Sequence, residues 1–120
     1  MSTVFFTSTV RSQNSGTHMS EVLHDKVQWS FPYGPTLGVQ ETFVGKEAVV
    51  DHLRRVRDSG VRISDIRTEL ETPHGAVVHT EEVFPTAQGP IASEIASVVT
   101  MKDRLIGNVH EYWDTAAIKG

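Results

Sequence analysis

Three glutamates, Glu82, Glu94 and Glu111, are the side chains of this sequence best suited to chemistry. A carboxyl group in apolar surroundings loses hydration, which favours its neutral form. Two such groups that lie close together share a proton, so that one serves as an acid and the other as a base. A pair of this kind can promote enolisation, aldol-type ring closure, dehydration or water activation. This chemistry requires that the glutamates face one pocket.

The residues needed for several other chemistries are missing. The chain has no cysteine, which excludes disulfides, thiol catalysis and cysteine-ligated metal sites. No His-x-x-x-His or similar ligand spacing falls on a predicted helix, so we expect no metal. Gly34 and Gly38 enclose a proline and do not open directly into a helix, as a phosphate-binding loop would. A site without cofactors is expected.

The elements that must position the glutamates are a helix and a series of strands. Residues 27–31 alternate and end at Pro32, which predicts a strand. A loop follows over residues 33–42. The clearest helical pattern then begins at Gly45 and ends at Ser59-Gly60.

Beyond Gly60 the periodicity changes from helical to alternating. Four strands are predicted, over residues 62–72, 76–84, 91–101 and 105–114. Short turns join them, which indicates an antiparallel meander. A helical part followed by such a sheet predicts an α+β fold. Near the start, residues 17–23 predict a short helix, and residues 3–10 have the composition of a strand.

The composition sets limits on location and partners. The 120 residues suit one domain over residues 1–120, with 38% apolar and 22% charged residues. A net charge of −4 argues against nucleic acid as a partner, and the basic cluster Arg54, Arg55 and Arg57 predicts a solvated helix face. No apolar run is long enough for a membrane span, and no signal peptide is visible. We therefore expect a cytoplasmic protein with no membrane partner.

Three segments carry a resemblance to a known family. They are Val27-Gln28-Trp29-Ser30-Phe31-Pro32, Phe43-Val44-Gly45-Lys46-Glu47-Ala48-Val49 and His110-Glu111-Tyr112-Trp113-Asp114. In this order the chain resembles the SnoaL-like, or nuclear-transport-factor-like, superfamily of polyketide cyclases, ketosteroid isomerases and limonene epoxide hydrolases. The resemblance implies a cone-shaped α+β fold, with a curved antiparallel sheet wrapped around helices and one apolar pocket. It also implies a helix over residues 3–12, against their propensity.

The resemblance also assigns sides to the strands. Trp113 matches a pocket-lining aromatic residue, and strand alternation extends the assignment to its neighbours. The inward residues are then expected to be Trp29, Phe31, Thr80, Glu82, Phe84, Glu94, Ala96, Val98, Val109 and Glu111, with Tyr33 at the rim. The outer face is expected to carry His79, Glu81, Val83, Ile95, His110 and Tyr112. A slip of one residue inverts any of these strands.

Catalytic patterns known in the superfamily are incomplete in this chain. The aspartate base of the isomerases falls on Phe31, and their second acid falls on Ala96. The triad of the epoxide hydrolases falls on Glu82, Phe84 and Glu111. The resemblance therefore leaves Glu111 as the principal acid or base, with Glu82 or Glu94 orienting substrate or water. On an alternating strand, Glu82 and Glu94 equally fit solvated positions.

Binding residues follow from the same matching. Trp29, Phe31, Phe84 and Trp113 are expected to form apolar walls, and Tyr33 is expected at the rim. His24 precedes the first strand at a position from which the family can reach the pocket. The expected ligand is a small apolar or polycyclic organic molecule.

Three functions remain open. The first is a cofactor-free cyclase, isomerase, hydrolase or dehydratase. The second is a small-molecule-binding protein without catalysis. The third is an interaction module with a filled pocket. A homodimer is expected for each, because Val83, Ile95 and Tyr112 would leave an exposed sheet face uncovered.

Overall fold

The computed structural model describes residues 19–114 of the chain. Expectations for residues 1–18 and 115–120 lie outside this range, including the first strand or helix. The chain begins here with a one-turn helix α1 (Met19–Val22), followed by β1 (Leu23–Ser30), a 3₁₀ turn (Gly34–Leu37) and β2 (Thr42–Val44). Helix α2 (Lys46–Asp58) and the strands β3 (Arg62–Thr72), β4 (Gly75–Phe84), β5 (Ile91–Lys102) and β6 (Leu105–Trp113) complete it.

The six strands form one open sheet in the order β2-β1-β6-β5-β4-β3. Strands β3 to β6 are an antiparallel meander, whereas β1 lies parallel to β6. Irregularities in the register of the β1–β6, β3–β4 and β5–β6 pairs bend the sheet. The predicted α+β fold with a curved sheet is confirmed.

Helix α2 covers the concave face of this sheet. Its start carries Glu47, and its last turn carries Arg55 and Arg57, which suits the helix dipole at both ends. Val49 and Leu53 are buried toward the sheet, where they join a core with Val27 and other residues of β1, β4, β5 and β6. The helix therefore closes one side of any cavity above the sheet.

The turns of the meander agree with the sequence. Asp103 and Arg104 both have positive φ angles, of 51° and 66°. This is the conformation of a two-residue hairpin turn whose twist matches the flanking strands. It fixes the pairing of β5 with β6 and therefore the side on which each residue of β6 lies.

Two boundaries differ from expectation. Strand β1 begins at Leu23 and not at residue 27, because Leu23 and Val27 are both fully buried and the strand continues across an irregularity to pair with β6. Strand β2 falls partly in a segment predicted as loop. Its three residues pair with β1 at the edge of the sheet, and this pairing is tertiary information that so short a run does not carry.

The residues of strand β5 face the opposite sides of the sheet from those predicted. Ser93, Ile95 and Val99 are buried, whereas Glu94 and Val98 are exposed. Ile95 pairs with Thr80 and with Trp113, so it shares their inner side. The inward assignment of Glu94, Ala96 and Val98 is wrong, and so is the outward assignment of Ile95.

Within residues 19–114, no helix is long and apolar enough to cross a membrane.

Candidate functional site

A cavity of about 270 Å³ lies between α2 and the concave face of the sheet. Its walls are mainly apolar and come from the loop after β1, from α2 and its C-terminal turn, and from β4 and β6. The apolar lining residues are Phe31, Leu37, Val39, Leu53, Val56, Val61, Phe84 and Trp113. The polar lining residues are His52, Ser59, Glu82 and Glu111. A few polar groups in an apolar cavity are typical of a small-molecule site.

Glu111 is a buried carboxyl group held by two indoles. Trp29 donates its Nε1–H to Oε2 of Glu111, and Trp113 points its Nε1–H at Oε1 at 3.4 Å. Only 6% of Glu111 is exposed. Burial raises the pKa of Glu111, and the two N–H groups oppose that rise because they favour the ionised form.

Glu82 is the second buried carboxyl group of the cavity, and its surroundings differ. It is 7% exposed, and no hydrogen bond reaches its side chain from within residues 19–114. Burial, followed by the negative charge of Glu111, raises the pKa of Glu82 to about 8. Glu82 therefore carries a proton at neutral pH, and that proton has no acceptor in this part of the chain.

The two carboxyl groups together provide an acid and a base. The charge of Glu111 contributes to the raised pKa of Glu82, so the two groups sense each other across the cavity. Indole donors stabilise the carboxylate of Glu111, whereas Glu82 has none. The first proton to leave the pair therefore leaves Glu111, and Glu82 keeps the shared one.

His52 of α2 forms part of the wall opposite the sheet. Its ring stacks on Phe43, with centroids 4.1 Å apart and an interplanar angle of 25°, and contacts Phe31 at 5.0 Å. Burial lowers the pKa of His52, and the nearby positive charge of Arg55 lowers it further. The imidazole is therefore neutral at neutral pH.

The structure brings together most of the residues that the sequence singled out. Phe31, Phe84, Trp113, Glu82 and Glu111 all line the cavity. Trp29 is buried behind Glu111 and reaches the site through its hydrogen bond. Phe31 and Trp113 pack against each other with centroids 4.9 Å apart.

Glu94 does not belong to this group. It lies on the opposite face of the sheet, where its carboxylate contacts Arg67 at 3.4 Å and His79 at 2.9 Å. Its side chain is 49% exposed. The inward position that the sequence predicted resulted from the one-residue error in the register of β5.

Two further predicted binding residues also lie away from the cavity. Tyr33 is exposed and packs its ring near Tyr112 on the outer face, at 6.1 Å. His24 lies at the far end of the sheet, where its Nε2 is 3.4 Å from Asp103 in the β5–β6 turn. Neither lines the cavity.

The sequence did not predict that the loop after β1 and helix α2 form part of the cavity wall. Leu37 is the last residue of the 3₁₀ turn, Val39 follows that turn, and Val61 follows the helix. His52 lies beside the apolar stripe of α2 and so faces the same space. That position was the available signal. Among residues 19–114 no group of three potential ligands is placed to hold a metal ion.

No protein-family model matches the sequence, and no curated protein does. Solved structures do match. A protein with a ketosteroid isomerase-like fold from Catenulispora acidiphila, in complex with trimethylamine, has a TM-score of 0.80 and 10% identity, over 98% of this chain and 91% of that one. TerC co-crystallised with polyporic acid has a TM-score of 0.74 and 20% identity, over 94% of both chains.

An LEH-like epoxide hydrolase from M. tuberculosis has a TM-score of 0.75 and 12% identity, over 95% of this chain and 83% of that one. At these identities the similarity establishes the fold. The protein has the SnoaL-like, or NTF2-like, cone fold, as the sequence resemblance predicted. This fold hosts many chemistries, so function must be argued from the cavity.

Proposed function

We propose that this protein is a small cofactor-free enzyme that uses Glu111 and Glu82 as base and acid on an apolar ring compound. The observation that carries this proposal is the presence of two buried carboxyl groups in the walls of one apolar cavity. Isomerisation, ring closure and hydrolysis or dehydration all need such a pair. The structural neighbours include an epoxide hydrolase, which is consistent with this class of chemistry.

The surroundings of the two groups support a division of roles. The Glu111 carboxylate, held by two indole N–H groups, would remove a proton from carbon or from water. Glu82 would give its proton to the oxygen on which negative charge develops. In an enolisation the C–H bond breaks, its electron pair forms the C=C bond, and the carbonyl oxygen takes the proton of Glu82. Reprotonation at another carbon would restore both groups.

The size of the cavity limits the substrate. Ligand pockets commonly measure roughly 300–1,000 Å³, so a cavity of about 270 Å³ favours a small ring compound over a polycyclic one. Phe31, Phe84 and Trp113 are aromatic residues in its wall. Two neighbours of the same fold hold small organic molecules, trimethylamine and polyporic acid, which supports a ligand-binding role for this space.

Proton transfer to and from carbon can be tested before the natural substrate is known. A panel of small cyclic ketones is incubated with the protein in heavy water, and deuterium incorporation beside the carbonyl is followed by mass spectrometry. Wild-type protein is expected to accelerate exchange for at least one member. Glu111→Gln should abolish the acceleration, and Glu71→Gln, at an exposed position on β3, should leave it intact. Equal exchange in the Glu111→Gln and wild-type proteins would refute the proposal.

A second candidate function is binding without turnover. The observation that favours it is Phe31, which is buried and packed against Trp113, at a position that the family resemblance assigns to the isomerase base. In that case a ring compound is bound by wild-type protein and recovered unchanged. Glu111→Gln would then alter affinity alone, whereas the enzyme proposal predicts retained binding and lost conversion.

We also propose a homodimer formed through the outer face of the sheet. Val98 and Tyr112 lie there with about two fifths of their surface exposed, and Tyr33 is adjacent to Tyr112. Exposed apolar residues on an open sheet favour association with a second copy. Analytical ultracentrifugation at micromolar concentration should show a dimer that Val98→Glu disrupts. A wild-type monomer at that concentration would refute it.

A further inference from the structure

The ionisable side chains that residues 19–114 contribute to the cavity wall are two acids and a histidine. Glu82 and Glu111 are the charged or acidic groups in its wall, and among residues 19–114 no lysine or arginine lines it. His52, the remaining titratable lining residue, is held neutral because burial lowers its pKa. Within residues 19–114 the cavity wall therefore provides negative charge or protonated acid, and this part of the chain supplies no positive group to balance an anion.

Glu82 is the less satisfied of the two carboxyl groups. It is more than nine-tenths buried, yet no hydrogen bond reaches its side chain within the described part of the chain. A buried carboxyl group without a partner destabilises the fold unless a ligand supplies the missing interaction. Because Glu82 is in the cavity wall, that partner can be a bound molecule.

Aromatic rings form much of the rest of the wall. Phe31, Phe84 and Trp113 all line the cavity, and Phe31 packs on Trp113 at 4.9 Å. The faces of aromatic rings carry partial negative charge and attract organic cations, most strongly where water is excluded. Ring faces and carboxylates together form the kind of site that recognises substituted ammonium groups.

We infer that the cavity binds a small ring compound that carries a positively charged nitrogen, with the Glu111 carboxylate as its counter-ion and Glu82 as a second counter-ion once it has lost its proton. The inference concerns the same cavity and rests on the proposed function. It adds a positively charged nitrogen to the ring compound proposed as substrate. A cation gains Coulombic attraction from both carboxylates and from the aromatic wall. A neutral compound of the same shape gains apolar contact alone, and an anion is repelled.

Binding of a cation is linked to ionisation of the carboxyl groups. The titratable groups facing the site are Glu82 from β4, Glu111 from β6 and His52 from α2, with Arg55 acting on His52 from the same helix. A cation binds best when Glu82 is ionised. Because the pKa of Glu82 is about 8, roughly a tenth of the protein is in that state at pH ~7, and most of it at pH ~9. Affinity should therefore rise about tenfold over this interval.

The test compares a cation with a neutral compound of the same shape and with a smaller aromatic anion. Phenyltrimethylammonium is a cation whose charge does not depend on pH, tert-butylbenzene is its neutral isostere, and benzoate is an anion. Each is titrated into the full-length protein, and the indole N–H signals of Trp29 and Trp113 are followed by NMR. We expect the cation to bind about tenfold more tightly than the neutral isostere at pH ~9, and benzoate to bind most weakly.

Variants separate charge from shape. Glu82→Gln keeps the size of the side chain and should weaken the preference for the cation and remove the rise in its affinity with pH, because Glu111 and the aromatic wall remain. Glu71→Gln, an exposed substitution on β3, should change neither. Equal or tighter binding of tert-butylbenzene, or a rise in cation affinity with pH that is unchanged in Glu82→Gln, would overturn the inference.

Failure of this inference is distinguishable from failure of the proposed function. Selective cation binding without proton exchange or conversion would support the ligand class and refute the catalytic proposal. Proton exchange on neutral ketones, together with tighter binding of the neutral probe, would support the catalytic proposal and refute the proposed ligand class.

Discussion

Trp29 on β1 donates its indole N–H to the carboxylate of Glu111 on β6, and this hydrogen bond joins two residues that are 82 positions apart. The parallel pairing of β1 with β6 makes the contact possible, because Trp29 is the register partner of Val109, two residues before Glu111 on the same face. The fold thus places a buried donor behind the proposed base. This donor favours the ionised form of Glu111 at a site where burial opposes it.

Replacing Trp29 by Phe should therefore raise the pKa of Glu111 further. The ring remains, but one N–H donor to the carboxylate is lost. We expect the acidic limb of the pH–rate profile to move to higher pH, and the free energy of unfolding to fall by roughly 1–3 kcal/mol. Trp113→Phe removes the longer contact of 3.4 Å and should shift the limb less. A loss of stability with an unchanged pH profile would contradict the assignment of Glu111 as the base.

Glu82 should make the protein less stable as the pH rises. Its pKa is raised from 4.5 in a model peptide to about 8 in the folded state. Between these values the folded protein binds more protons than the unfolded chain, so the free energy of unfolding decreases with pH, by about 1.4 kcal/mol per unit at most. The stability of the protonated form is fully present below pH ~4.5 and is lost as the pH passes ~8.

The check is urea denaturation of wild-type and Glu82→Gln proteins at several pH values. The variant cannot ionise at position 82, and it should be more stable than wild type in mildly alkaline solution. Its stability should also fall less steeply with pH. Parallel curves for the two proteins would show that residue 82 does not titrate in this range.

Much of the fold followed from the sequence because most strands have a clear pattern. The inner side of Glu82 and Glu111 followed from the match of Trp113 to a pocket-lining aromatic residue of the family, extended along the strands by alternation. On β5 the same extension failed, since residues 91, 92, 95, 96, 98 and 99 are apolar and occupy both parities. Alternation cannot choose between the two faces there. The pairing of Ile95 with Thr80 and Trp113 decides it, and that pairing is a tertiary fact.

The candidate site was predictable to a smaller extent. The two glutamates and three aromatic walls followed from strand alternation and a family resemblance. The link between Trp29 and Glu111 spans most of the chain, and the closure of the cavity by α2 and the 3₁₀ turn depends on how the helix packs. The sequence places His52 beside the apolar stripe of α2, but the packing of the helix decides that this side of it lines the cavity.

His52 should destabilise the fold in acid. Burial, and then Arg55, lower its pKa from 6.5, so below that pH the unfolded chain takes up a proton that the folded state resists. The unfolded state binds more protons in this window, and the free energy of unfolding must fall as the pH decreases. His52→Phe keeps the stacking on Phe43 and removes the titration. We expect a smaller loss of stability between pH ~6.5 and ~5 in the variant. An identical acid limb would contradict a neutral, buried His52.

A side chain that fills the cavity should abolish activity and ligand binding while the protein still folds. Val56 lines the cavity from α2 and is half-buried, so Val56→Phe would place its ring in the empty space. Because the space already exists, the free energy of unfolding should change by less than about 1.5 kcal/mol. Proton exchange and ligand binding should both be lost. Val44→Phe, at an exposed position on β2 outside the cavity, is the matched control and should retain them. If the filled variant remains active, the chemistry takes place elsewhere on the molecule, and the assignment of this cavity as the site is wrong.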